Sequence, residues 1–364
     1  MTTNKLSSKT KKIIGGSFCD ALFTLIIFLL MILIISNPKT FNSGTISGLK
    51  LFFYSVLPGL FPFMILTKLM TEIGYLFLIT PKFDKVSRTL FGTSGISFYA
   101  FFMSILSGYP IGAKIIADLY QKELISETEA KRMSIFCTTS GPVFVVGTVG
   151  SVMFKSFKIG IIIYLSHIIS SVLMGVFYNL ITKNKSIPMP KDTNIMLLKQ
   201  NKTTNILNTS ITQTINSLFV VGAYITMFYL ITELLDSFNI ISSLSNTLCK
   251  ILKPFKIEKS TIKGSLYGIL EVTHGAKELS KTISPTSIAL CSGIISFSGI
   301  SINLQMMSFL KTAKIKTHTF ILSKCVHMIL SMFLCFLIII FLKWCNFYVI
   351  DCIFKFVTIS FNNC

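Results

Sequence analysis

The chain has 364 residues, of which 52% are hydrophobic and only 13% charged, with a mean hydropathy of +0.72. Soluble domains carry about 25% charged residues, so the composition excludes an ordinary soluble globule and predicts an all-α polytopic membrane protein in a lipid bilayer. The net charge of +20 is carried mostly by Lys between apolar runs, where it orients spans and meets anionic headgroups; with no nucleic-acid-binding motif beside it, nucleic acid is not a partner. The nine Cys are scattered without CxxC spacing, and Cys137, Cys325 and Cys335 lie inside apolar runs as small hydrophobes. Neither a cofactor nor a metal centre is implied.

In chain order, Lys5, Lys9, Lys11 and Lys12 precede an apolar helix over Phe18–Ser36, stopped by Asn37-Pro38. No small-x-small cleavage site follows, so residues 1–48 read as an uncleaved anchor with a cytoplasmic N-terminus. Residues 49–79 form a long helix bent at LPGLFP, where Pro58 and Pro62 each remove a backbone donor. Lys82, Lys85 and Arg88 then fall on the cytoplasmic side. Residues 95–106 are apolar, but twelve residues at 1.5 Å each reach only about 18 Å, half a bilayer. Residues 95–120 are therefore predicted as a re-entrant hairpin with SGYPIG at its tip, tolerated only where protein or a watery cavity surrounds it.

Ser126 and Glu129 have capping-box spacing and start a short, solvated cytoplasmic helix. Residues 133–154 span but are interrupted by TTSGP, and residues 160–182 span back. Beyond a polar linker, residues 211–235 span, residues 238–259 hold an interfacial helix, and residues 262–279 form a second apolar hairpin carrying Glu271, His274 and Lys277. Residues 285–310 and 319–342 span, and the tail with Trp344 and Tyr348 is interfacial. This makes about seven spans and two re-entrant hairpins. The divisions are the anchor, a first repeat over 49–182, a linker over 183–210, a second repeat over 211–342 and a tail over 343–364.

The repeat rests on short matches. The first half has GAK at Gly112-Ala113-Lys114, then Ser140-Gly141, then Gly147; the second has GAK at Gly275-Ala276-Lys277, then Ser292-Gly293, then Gly299, and in both the last glycine follows the one before it at a spacing of six. His167 with Ser171 is matched by His327 with Ser331. Three spans separate the copies, so the second is inverted, and inverted repeats with broken helices mark secondary transporters. Against it, Lys250, Lys253, Lys256, Lys259 and Lys263 fall outside in this topology.

The breaks supply the candidate site. In Ser107-Gly108-Tyr109-Pro110-Ile111-Gly112, glycine lets backbone approach a ligand and proline holds the break. In Thr138-Thr139-Ser140-Gly141-Pro142, proline suits the first turn of a half-helix whose positive end meets an anion. The second-half counterpart is Ser292-Gly293, which lacks the proline. Lys114 and Lys277 are costly at membrane depth and so read as functional, unless Lys114 pairs with Asp118. Glu271 and His274 can exchange protons, unless His274 pairs with Glu278 or Glu271 neutralises Lys114. His167 and His327 read as helix glue.

SGYPIGAKIIADLY, FCTTSGPVFVVGTVG and ILEVTHGAKELS together resemble the sporulation integral membrane protein family YlbJ (SpoVV) of spore-forming Firmicutes, whose nucleoside-recognition or gate domain is similar to parts of concentrative nucleoside transporters. The resemblance runs over roughly residues 57–331. It implies a role in moving dipicolinic acid from the mother cell across the outer forespore membrane. Two Lys from two repeats would suit that dianion. The resulting expectation is a transporter, not an enzyme, with a small anionic substrate, and a homo-oligomer is compatible with it. Its rivals are a carrier of nucleoside, which would need Glu, Asn or Gln contacts to a sugar, and a non-transporting scaffold for spore assembly.

Overall fold

The apolar runs form helices wherever proline and glycine let them, and the places where they stop set the architecture. In the computed structural model the described residues are 18–73, 80–182, 203–255 and 257–344, and all their regular structure is helical. The linker and tail expectations fall largely outside these residues.

Helix α1 (Phe18–Ser36) ends at Asn37, and Pro38 opens α2 (Pro38–Leu51), with a turn of 107° between the two. Proline at the first helical position loses no hydrogen bond. The predicted bent helix is thus realised in pieces: α2, a π-helical turn over Phe52–Val56, and α3 (Leu57–Ile73) with Pro62 inside it. Helices α4 (Thr80–Phe91) and α5 (Ile96–Ser107) meet at 86°. They are followed by α6 (Ile111–Gln121), α7 (Glu127–Phe136), the π-wound α8 (Val143–Met153) and α9 (Phe157–Ile181). The second half comprises α10 (Thr203–Ser237), α11 (Ile240–Ile251), α12 (Lys259–Leu270), α13 (Val272–Leu279), α14 (Pro285–Phe297), α15 (Gly299–Leu310) and α16 (Thr317–Trp344). Four segments (157–181, 206–237, 285–313 and 317–342) are long and apolar enough to cross a membrane, and the two bent pairs raise the number to six. The all-α polytopic architecture stands. The TTSGP segment is not one span but two short helices, α7 and α8.

Both halves contain a helical hairpin. Gly112 on α6 faces Ser104 on α5, and Gly275 on α13 faces Gly268 on α12, so in each the second limb doubles back along the first. These are the two GAK glycines, and a side chain at either would collide with its neighbours. Both halves also contain a broken helix: α7 and α8 around residues 137–142, α14 and α15 around Ser298-Gly299. Each hairpin turn rests on the break of its own half. A Cβ on Gly108 would lie 2.5 Å from Gly141 N, and one on Gly299 would lie 3.2 Å from Val272 N and 3.3 Å from Leu270 O. Gly108 and Gly299 also have φ of +78° and +67°, a region where glycine carries no Cβ penalty.

The second break is not where the matching of Ser140-Gly141 with Ser292-Gly293 places it. Ser292 and Gly293 lie inside continuous α14, and the break comes six residues later. The halves also exchange partners. Helix α6 packs on α15, and α13 packs on α8 and α14. Each of the two apolar cores therefore draws on both halves.

The helix over Glu127–Phe136 is not solvated as expected. Ser126 Oγ accepts from Glu129 N at 3.2 Å, which is half of a capping box, but the Glu129 carboxylate instead takes the Ser94 amide at 2.7 Å. Arg132 is also buried and donates to Asn179 Oδ1 at 2.9 Å. Both side chains tie α7 to its neighbours.

Candidate solute-binding site

Where four half-helices stop at the middle of the fold, they leave a cavity. It holds about 700 Å³ of unfilled space, mouth included. Ser107, Gly108 and Tyr109 from the first tip line it, as do Ser140 and Gly141 from the first break, and Glu271 and Thr273 from the second tip. Ile302 and Gln305 come from α15, the helix that follows the second break, and Phe63, Phe144 and Val221 supply much of the apolar wall. A mostly apolar hollow with a few convergent polar groups has the make-up of a small-molecule site.

Four helices begin at this centre: α6, α8, α13 and α15. No side chain caps the first turn of α6, α8 or α15. The positive ends of these three are turned toward the middle of the fold without a protein carboxylate on them. Helix α13 differs. Glu271, 1% exposed, caps it and accepts the His274 amide at 2.6 Å. Among the described residues of the cavity lining Glu271 is the one carboxylate, and the amides and dipole of its own helix balance its charge.

Behind the lining lies a hydrogen-bonded frame. His167 Nε2 accepts the Ser140 amide at 2.9 Å, and its Nδ1 meets Ser296 Oγ at 2.7 Å. An amide only donates, so His167 is neutral with its proton on Nδ1. The imidazole thus ties the first break to the last turn before the second. Tyr109 does the same from the tip, its hydroxyl donating to Ile295 O at 3.1 Å. Ser104 Oγ accepts the Thr139 amide at 3.0 Å and bonds Thr139 Oγ1 at 2.9 Å. Thr138 Oγ1 turns back to Ser134 O. Lys324, 1% exposed, donates to Thr138 O at 2.6 Å, with its ammonium 5.0 Å from the centre of the Tyr109 ring.

Compared with known proteins, the chain is 27% identical over 308 residues to the sporulation integral membrane protein YlbJ of Bacillus subtilis (strain 168), which covers 80% of this chain and 76% of that protein. The chain is thus similar to that sporulation membrane protein over most of its length. No protein-family model and no solved structure matches it. Helices long and apolar enough to cross a membrane, and similarity to a sporulation integral membrane protein, are therefore the frame for the site.

Within it, the predicted residues divide. Ser107, Gly108, Tyr109, Ser140, Gly141 and Glu271 come together around the cavity. Pro110, joined to Tyr109 by a cis peptide, and Gly112 shape the first tip; Gly275 closes the second hairpin. Thr138 and Thr139 hold the break from behind. Ser292 bonds Ser166 Oγ at 2.8 Å and Ser331 Oγ at 2.7 Å, and Gly293 faces the side chains of Met328 and Met332. Both belong to the packing of α14. His274 is held away from the cavity between the rings of Tyr229 and Tyr267, at 5.0 and 4.2 Å, with Thr232 on its Nδ1. Lys114 and Lys277 are not in the lining. Lys114 does not take Asp118, which pairs with Lys68 at 3.1 Å.

Sequence reasoning missed Gln305, Ser298-Gly299 and Lys324. For Lys324 the signal was present: a Lys inside an apolar run is expensive and marks function by default. Lys324, His327 and Ser331 also fall at i, i+3 and i+7, on one face of α16.

Proposed function

We propose that this chain is an integral membrane transporter of a small organic anion. Dipicolinic acid is the cargo that the family resemblance implies, moved across the outer forespore membrane during sporulation. One observation carries the reading: both hairpin tips, the first helix break and the helix that follows the second break line a single cavity. Broken helices meeting around a midplane site in an inverted repeat are the working parts of alternating access, in which one repeat rocks against the other. An anion would be held by the uncapped starts of α6, α8 and α15 and by the hydroxyls of Ser107 and Ser140. The apolar wall would take a flat ring. The lysines expected to do this are replaced in that role by backbone amides.

A second reading has its own support. Glu271 and Gln305 both line the cavity, and this pairing suits the hydroxyls of a neutral solute such as a nucleoside. The test is uptake into vesicles containing the purified chain, with dipicolinate and uridine offered separately. Dipicolinate uptake above that of empty vesicles supports the anion reading; uridine uptake alone supports the second. Failure with both, together with normal dipicolinate in spores of strains lacking the gene, would leave the scaffold reading.

A further inference from the structure

The two GAK lysines enter separate clefts that each adjoin the cavity. Lys114 lines one with Lys68, Asp118 and Thr67. Its ammonium donates to Ser217 Oγ at 2.6 Å and has no ion pair within 4 Å among the described residues. Around it, Lys68 bridges Asp118 at 3.1 Å and Glu72 at 3.0 Å, and Lys122 shares Glu72 at 3.4 Å. Three lysines thus face two carboxylates, leaving one positive charge unmatched. Only a thin partition separates this cleft from the cavity: Thr67, on the cleft side, bonds Ser107 Oγ, on the cavity side, at 2.8 Å.

Lys277 lines the other cleft with Lys50, Tyr229 and His274. Among the described residues neither Lys50 nor Lys277 has an ion pair within 4 Å, although Lys277 lies close enough to Glu233 to act on its charge. Thr273 lines both this cleft and the cavity. The two lysines hold equivalent places. Each lies six residues past its hairpin turn, Lys114 after Gly108 and Lys277 after Glu271, and two past the close-packed glycine of its returning limb, Gly112 or Gly275. In an inverted repeat, equivalent places face opposite sides of the membrane.

We propose that the clefts are the two mouths of the transport path, and that Lys114 at one and Lys277 at the other capture a carboxylate of the organic anion before it passes the hairpin tip. The proposal rests on the transport reading above. A charge in a mouth raises the rate of encounter more than it holds the bound solute, and this separates capture from a structural role.

The experiment is dipicolinate uptake into oriented vesicles containing the full chain, as wild type, Lys114→Gln, Lys277→Gln and the two Arg variants. Each Gln variant is expected to slow uptake at low dipicolinate roughly threefold to tenfold, with the saturating rate unchanged. The loss should appear when substrate is supplied to one face for Lys114 and to the other for Lys277, and Arg should restore it. Gln variants that match wild type at low dipicolinate from both faces, or that lose saturating rate instead, overturn the proposal. Wild type that carries uridine but not dipicolinate overturns anion capture while keeping transport; wild type that carries neither overturns both.

Discussion

His167 and His327 stack, with ring centroids 5.0 Å apart and planes inclined by 24°, and His327 Nε2 donates to His167 O at 3.1 Å. They are matched positions of the two halves, on α9 and α16, and they meet behind the cavity. Through the Ser140 amide on one side and Ser296 on the other, His167 holds both breaks at once. It is glue, as a lone His on an apolar helix should be, but it is applied at the site itself.

His167→Ala would therefore strand a buried amide. An unsatisfied donor costs about 1–3 kcal/mol. A lower thermal midpoint in detergent is expected, together with loss of dipicolinate uptake. His167→Gln, whose carbonyl can accept the Ser140 amide, should recover part of the stability. An unchanged midpoint for His167→Ala would show that the frame is not held this way.

Gly293 and Gly299 should respond differently to alanine. At Gly293 a Cβ meets Met328 and Met332 atoms at 3.4 Å, an ordinary contact, so Gly293→Ala should stay within about 0.5 kcal/mol of wild type. At Gly299 φ is +67° and a Cβ would lie 3.0 Å from Gly268 O. The conformation alone costs an L-residue about 1–2 kcal/mol, so Gly299→Ala should lower the midpoint and abolish uptake. Paired thermal scans and uptake assays decide it.

Glu271→Gln keeps an oxygen for the His274 amide while removing the charge. The fold should survive, as read by size-exclusion behaviour and thermal midpoint. If the solute is an anion, the KM for dipicolinate is expected to stay or fall, because a buried negative charge beside the solute has gone. A large rise in KM would instead favour the neutral-solute reading, in which Glu271 accepts from a hydroxyl.

Lys324→Met tests whether the buried ammonium is kept for function. Among the described residues the Lys324 ammonium meets a carbonyl and the rings of Tyr109 and Phe320 and has no ion pair; such a charge is expensive to bury, and replacing buried charge by an apolar side chain of similar length is often neutral or stabilising. Equal or higher thermal stability is expected, with loss of uptake. A marked loss of stability would make Lys324 a structural clamp on Thr138 O.

Much was legible in the sequence because it depends on spacing along one chain. The apolar runs, the stop at Asn37-Pro38, the SGYPIG and TTSGP breaks and the GAK glycines follow from backbone chemistry: proline removes a donor, and glycine allows close approach. The second break was harder. Ser292-Gly293 and Ser298-Gly299 look alike as dipeptides, and only the rest of the fold decides which one adopts positive φ. A helix continues through a glycine unless another segment needs the space.

The membrane class, the helical content and the first hairpin turn were thus determined by the sequence alone, since bilayer thickness and backbone hydrogen bonding act on each segment separately. Which side chains share a cavity was decided only by tertiary structure. Lys114 and Lys277 looked like a pair made for one dianion, yet the hairpins carry each of them past the centre into its own cleft. The centre is left instead to backbone helix starts, Glu271 and Gln305. The sequence shows that a lysine lies at membrane depth, but what it faces depends on how limbs from two halves cross.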